Sequence, residues 1–273
     1  STPLYSSAAS DVYKRQEADG SFTFIAHGKV ANAKKVGGEI FLRGVDKASF
    51  DEIFYNYFDL SRDYKIVMEE LARDEVMKNA TDYGKGIRIL NQDKFETIIS
   101  FIISANNQIP RIKNAIEKIS EMYGDYLGED ENRKYYSFPS AEKLSLARPE
   151  DLREFARVGF RDVRIVETAN LIKDGYVNLD EIDKMDLEDA RCALQVLPGV
   201  GPKVADCILL FAFDRKESFP VDVWIKRVME ELYLKEVTPK SKIAMKGREV
   251  FGKNAGFANQ YLFYYGRENK LGK

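Results

Sequence analysis

Residues 194–213, LQVLPGVGPKVADCILLFAF, constrain the fold of this chain more than any other stretch. An apolar helix end runs into Pro198-Gly199-Val200-Gly201, and a second apolar helix leaves from Pro202. Gly199 and Gly201 permit a tight turn whose backbone N–H groups stand free at the positive end of the next helix, and proline suits the first helical position. Such a terminus accommodates a phosphate. Val204, Cys207, Ile208 and Phe211 recur at helical spacing in the second helix, so that face belongs to a core. The residues leave two readings open: an ordinary packed αα-hairpin, or a clamp for a nucleic-acid backbone that ignores base sequence.

Charge distribution favours the clamp. The chain of 273 residues carries a net charge of only −2, yet residues 240–273 hold eight Lys/Arg against Glu249 and Glu268, while residues 121–131 hold five acids and no base. Separated charge gives an acidic protein one basic face for phosphates, although solvated surface explains many such runs. Two cysteines, Cys192 and Cys207, and a single histidine, His27, are too few for a structural zinc site or a four-cysteine iron–sulfur cluster. Any chemistry must come from Lys, Asp or Glu, tuned by burial or charge. No apolar run reaches the roughly 18 residues of a membrane helix. Without a secretory signal, two cysteines fit a reducing cytoplasm.

Along the chain, residues 1–16 lack helical or strand periodicity and read as a leader foreign to the rest of the chain. Residues 17–48 read as the remnant of an N-terminal β domain: SFTFIAHG, KVANAKKV and EIFLRG form an antiparallel meander turning at Gly37-Gly38. Residues 49–273 read as a helical body with a hairpin at 190–213, helix starts being signalled near Ser49, Ser61, Asp93, Ser140 and Asp162. Phe95, Ile98, Ile99 and Ile102 form a core stripe leading into Ser104-Ala105-Asn106-Asn107-Gln108. The fold class is α+β, a small and incomplete antiparallel sheet on a mainly helical body.

Lys203 lies in the first turn of the second hairpin helix, where the dipole and apolar neighbours disfavour an ammonium and are expected to depress its pKa. That makes it a candidate nucleophile, or else a phosphate contact. Asp222 in Phe219-Pro220-Val221-Asp222-Val223-Trp224 follows a proline and precedes an apolar-periodic helix, the position of an N-cap.

LPGVGPKVADC followed by FPVDVW resembles the helix-hairpin-helix–Gly/Pro/Asp signature of the DNA glycosylase superfamily, and the chain is most similar to its 8-oxoguanine DNA glycosylase/AP lyase family. The resemblance implies that Lys203 attacks the anomeric carbon and forms a Schiff base that permits β-elimination, with Asp222 stabilising the developing oxocarbenium ion. It implies that Asn106 fills the space of the extruded base and Arg111 contacts the orphaned partner, with Phe160 as a wedge and Arg161 as a second contact to that partner. Two guanidinium forks imply a preference for cytosine. Gly199, Gly201 and Trp224 would lie on the DNA backbone, and Cys207, Asn259 and Phe263 in the lesion pocket. Without the resemblance, Asn106 reads as a helix C-cap and the aromatic cluster around Phe263 as core.

Two departures stand out. Asn259 occupies a place where the family usually has Gln, a shorter arm toward the base edge, whose role could pass to Gln260. No Gly-Gln-x-Phe-Arg-Trp element, whose glycine carbonyl distinguishes the oxidised base, is found in residues 1–16. The expected activity is excision of 8-oxoguanine from duplex DNA with strand nicking, by a cytoplasmic monomer, nucleoid-associated in a prokaryote. No cofactor is required. A monovalent or divalent cation is expected on the backbone carbonyls of Gln195, Leu197 and Val200. The alternatives are a bifunctional glycosylase for another oxidised purine and a non-catalytic DNA-binding module.

Overall fold

The structure, a computed structural model, describes residues 14–37, 39–131 and 133–269. Its first sheet is antiparallel in the order β1 (Lys14–Gln16), β2 (Phe22–Ala26), β3 (Lys29–Val36) and β4 (Glu39–Arg43). The meander read from sequence is present, but it begins earlier. Lys14, Arg15 and Gln16 pair with Phe24, Thr23 and Phe22, so the sheet reaches into the segment set apart as a leader. Three residues are too few to show alternation, which is why a strand of this length is silent in sequence.

The inward face of the sheet is built from small residues. Ala26, Ala31 and Ala33 are buried, which lets the sheet close on Phe54, Tyr57, Phe58 and Leu90, with Phe24 stacked on Tyr57 at 5.9 Å. The small core therefore extends past residue 48, through FDEIFYNYF, which is helical with a π-helical stretch over Phe50–Phe54.

The helices of seven or more residues, labelled in chain order, are α1 (Tyr64–Leu71), α2 (Glu75–Tyr83), α3 (Lys94–Ser104), α4 (Ile109–Tyr123), α5 (Asp162–Lys173), α6 (Leu187–Leu194), α7 (Pro202–Ala212), α8 (Val223–Met229), α9 (Lys240–Phe251) and α10 (Ala255–Glu268). Asp93 and Ser140 cap helices where the sequence placed starts. At two others a neighbouring carboxylate takes the cap, Asp46 in place of Ser49 and Asp63 in place of Ser61, while Asp162 is the first helical residue after an Arg161 N-cap with no side-chain bond. Ionised oxygens accept the free first-turn amides more strongly than hydroxyls do.

Helices α3 and α7 form the centre. Every residue from Thr97 to Ile103 and from Ala205 to Phe211 is buried, so both are surrounded on all sides rather than presenting one apolar stripe. Their contact includes Phe101 stacked on Phe211 at 6.1 Å. Consecutive residues join the two cores, because Asn91 N–H donates to the Tyr57 carbonyl and Gln92 N–H to the Phe211 carbonyl, both at 2.9 Å. A second, two-stranded ribbon of Tyr126–Glu129 and Lys134–Tyr136 carries part of the acidic run.

Candidate active site

Helices α6 and α7 form the hairpin. Gly199 sits at φ +89°, where an L side chain is strained, and an added Cβ would lie 3.2 Å from the Arg164 Cδ. Within the turn the Val200 N–H donates to the Leu197 carbonyl at 3.0 Å, so that amide is used internally and is not free for a phosphate. Gly201 is the N-cap of α7 and makes no side-chain cap, so no side-chain oxygen competes for the first-turn amides.

Lys203 projects from that first turn. The residue is exposed, yet its ammonium leans over protein, 5.5 Å from the Phe101 ring centroid, with Cys207 one turn along the same helix. It is therefore reachable from solvent while resting on the Phe101 ring. The expected depression of its pKa is not found. The charge of Cys207, then Asp222, hold the ammonium above its ordinary value, against burial, which pulls it down. The helix-terminus argument counted only the local dipole and missed both side chains. Cys207 is itself pushed up, first by burial, against the pull of the Lys203 ammonium.

Asp222 caps α8 as its sequence context requires, accepting from the Ile225 N–H at 2.7 Å. The residues before it are fixed from two sides. Phe219 is fully buried and stacked on Phe251 at 5.9 Å, and the Pro220 carbonyl accepts from Asn259 Nδ2 at 2.8 Å. Lys203, Cys207 and Asp222 are thus brought together from α7 and the start of α8. Trp224, half-buried in the first turn of α8, lies under the Arg227 guanidinium at 5.4 Å.

The residues of α10 divide. Phe257, Tyr261 and Tyr264 are buried, whereas Phe263 is partly exposed beneath Arg267 at 5.4 Å, as a stacking surface requires. Asn259, expected on the base edge, is turned inward. It is 2% exposed, and its Oδ1 accepts from Gln260 Nε2 at 3.1 Å. Gln260 is also buried, so neither amide presents itself to a cleft.

A second cluster gathers around the end of α3. Asn106 is at φ +51°, just beyond the Ala105 C-cap, the left-handed position common after a helix. Phe160 is 59% exposed, flanked by Arg161 at 4.3 Å and Arg164 at 5.3 Å from its ring. Arg111 is exposed in the first turn of α4. Arg161, expected beside Arg111 on a partner base, is instead 6% exposed and committed to backbone. It donates to the carbonyls of Ala105, of Asn106 at 3.1 Å and of Val158 at 3.0 Å. It caps the negative end of α3, and burial lowers its pKa.

Two functional contributors were missed in sequence. Phe101 supplies the surface under the Lys203 ammonium, and its place inside a long apolar run gave no signal. Arg164 lies between the hairpin glycine and the Phe160 ring, and its spacing of three from Arg161 was the available signal. Among the described residues no group of three or more His, Cys, Asp or Glu could hold a metal ion, and no helix is long and apolar enough to cross a membrane. A cleft of 680 Å³ lined by Gln92, Lys94, Ala212 and Asp214 opens at the far end of α7 and contains none of the residues above.

A fold in which a small sheet precedes a helical hairpin body, with a lysine and a capping aspartate meeting at the hairpin, defines a DNA glycosylase-type scaffold. The family model of HhH-GPD superfamily base excision DNA repair proteins matches residues 99–253, and that of the 8-oxoguanine DNA glycosylase N-terminal domain matches residues 6–98. The chain belongs to the HhH-GPD superfamily of base excision DNA repair proteins, among its N-glycosylase/DNA lyases. It is 32% identical over 248 residues to a probable N-glycosylase/DNA lyase of Methanothermobacter thermautotrophicus, covering 82% of this chain and 76% of that one. It is 36% identical over 190 residues to the N-glycosylase/DNA lyase OGG1 of Arabidopsis thaliana, covering 66% of this chain and 52% of that one. Among solved structures, the 8-oxoguanine glycosylase/lyase of Clostridium acetobutylicum, bound to duplex DNA with cytosine opposite 8-oxoguanine, superposes with a TM-score of 0.91 at 41% identity. That match covers 95% of this chain and 89% of that one. A structure of MBOgg1 with a low-affinity DNA ligand gives 0.92 at 40% identity, covering 97% and 91%.

Proposed function

We propose that this protein removes 8-oxoguanine from duplex DNA and then cleaves the strand as an AP lyase. The observation that carries the reading is the meeting of Lys203 with Asp222 and Cys207 at the start of the second hairpin helix, in a chain similar over nearly its whole length to an 8-oxoguanine glycosylase/lyase. The Lys203 ammonium gives up its proton before attack, the amine then displaces the base from the anomeric carbon, and the departing base takes up a proton as it leaves. The sugar ring opens to a Schiff base on Nζ, and loss of a neighbouring sugar proton expels the 3′ phosphate. Asp222, fixed as a cap, stabilises positive charge on the sugar.

Gly199, Gly201 and Trp224 hold the backbone, Phe160 wedges the duplex, Asn106 fills the vacated stack and Arg111 meets the partner base. Cys207 and Phe263 line the lesion pocket. Gln195, Leu197 and Val200 carbonyls hold a cation in the hairpin, where Leu197 keeps a second lone pair beside its bond to Val200. The sheet with its aromatic core forms one domain and the helical body the other. The enzyme works as a cytoplasmic monomer, at the nucleoid in a prokaryote.

Borohydride trapping tests the reading, on duplexes holding 8-oxoguanine or an abasic site opposite cytosine. A covalent adduct is expected on both, abolished in Lys203→Gln while duplex binding persists. Adduct on the abasic duplex alone would make the chain a lyase without lesion recognition. No adduct on either would favour a hairpin module that only binds DNA, and unchanged trapping in the variant would remove Lys203 as the nucleophile.

A further inference from the structure

We infer that Asn259 is a positioning residue for Asp222 and does not read the edge of the base, an inference that rests on the function proposed above. Asn259 is 2% exposed on α10, and its amide is committed at both ends to protein. Nδ2 donates to the Pro220 carbonyl at 2.8 Å and Oδ1 accepts from Gln260 Nε2 at 3.1 Å, with Gln260 buried behind it. Asparagine is one methylene shorter than glutamine, and at this length the amide ends at the Pro220 carbonyl.

The recipient matters more than the bond. Pro220 offers no N–H of its own, and its carbonyl lies two residues before the carboxylate that caps α8. Phe219 and Val221 on either side are buried, so the segment cannot yield outward without exposing apolar surface. Phe219 is held against α9 by its stack on Phe251, and Asn259 holds the next residue against α10. Two helices thereby define where the backbone enters Asp222, and the carboxylate's position relative to Lys203 follows from both. Breaking the amide bond leaves a buried carbonyl unpaired, and the segment relaxes toward any donor it can find.

The two roles separate by what is lost. Removing a base reader lowers preference for the damaged base, whereas removing a positioner slows chemistry on every substrate that uses Asp222. Asn259→Ala is expected to slow both 8-oxoguanine release and abasic-strand cleavage in single turnover, on the order of ten- to a hundredfold, as displacements near 1 Å do. In a Lys203→Gln background, its affinity ratio for 8-oxoguanine over undamaged duplex is expected to stay unchanged. Asp222→Asn combined with Asn259→Ala should be no slower than Asp222→Asn alone, because both act through one carboxylate.

Asn259→Gln supplies the second arm and decides the matter if the alanine variant does not fold. A longer amide pushes the Pro220 carbonyl away, so slower chemistry with an unchanged affinity ratio is expected. A raised affinity ratio with chemistry intact would overturn the inference, as would an alanine variant that loses the ratio while cleaving abasic strands at the wild-type rate. Abasic cleavage keeps this test independent of the proposed substrate. A wild-type chain that cleaves abasic sites but releases no 8-oxoguanine refutes the substrate, and its Asn259 variants still report on Asp222.

Discussion

Truncating Arg161 to alanine should cost far more than loss of a surface arginine. Its guanidinium is 6% exposed and donates to three backbone carbonyls, those of Ala105, Asn106 and Val158. A hydrogen bond to a charged group contributes about 1.5–3 kcal/mol, so three acceptors set a gross loss of roughly 5–9 kcal/mol. Against this stands the burial of the cation itself, with no carboxylate among these partners, whose removal returns several kcal/mol. Water entering the space also restores part of the carbonyls' bonding. A net loss of about 2–4 kcal/mol results, which for a chain of this size lowers the melting temperature by roughly 3–7 °C.

Urea unfolding of Arg161→Ala should show a lower midpoint with an unchanged slope. Arg161→Lys should recover only part of the loss, since an ammonium cannot span carbonyls arranged for a planar fork. Because the same bonds hold Asn106 at φ +51°, excision from duplex DNA should fall while the ratio between cytosine and other opposite bases persists. That ratio should collapse in Arg111→Ala instead. A loss below about 1 kcal/mol, or a collapsed ratio at full excision rate in the Arg161 variant, would refute the reasoning.

Gly247→Ala should place a Cβ 2.4–2.6 Å from three atoms of the Phe219 ring, an overpacking worth about 1–3 kcal/mol. Thermal melts should show that loss, and single-turnover excision should slow because Phe219 leads into Asp222; a lower melting temperature at the wild-type rate would uncouple the two. In alkali, burial pushes Tyr261 up to about 12 and Tyr57, Tyr64 and Tyr233 upward as well, so these stay protonated when the unfolded chain ionises near 10. The native state then binds more protons than the unfolded one, and stability should decline as pH rises above 10, with phenolate absorbance lagging that of the unfolded chain. Matching titration curves would contradict the burial.

What was legible in sequence was local. The Asp93 and Ser140 caps, the glycine-bearing hairpin turn, the spacing that puts Cys207 one helical turn from Lys203 and the cap at Asp222 all depend on neighbours within a few residues. What escaped depends on distant partners. Arg161 turns inward because of carbonyls 55 and 56 residues away, and Asn259 because of one 39 residues away. Lys203 keeps its proton because of Cys207 and also of Asp222 on another helix, neither of which the local helix argument included. The strand at Lys14–Gln16 exists only through its pairing with β2.

The packing of α10 has a consequence for synthesis. This helix lies against elements made much earlier, Phe257 meeting Tyr64 at 5.4 Å and Tyr261 filling the space beside Gly84. The same helix supplies the amide that fixes Pro220. At ribosomal rates of about 5–20 residues per second, α1 and α2 wait on the order of ten seconds or more for that partner. In a nascent chain interrupted before α10, the segment leading into Asp222 keeps its stack against α9 but lacks the amide that holds the Pro220 carbonyl.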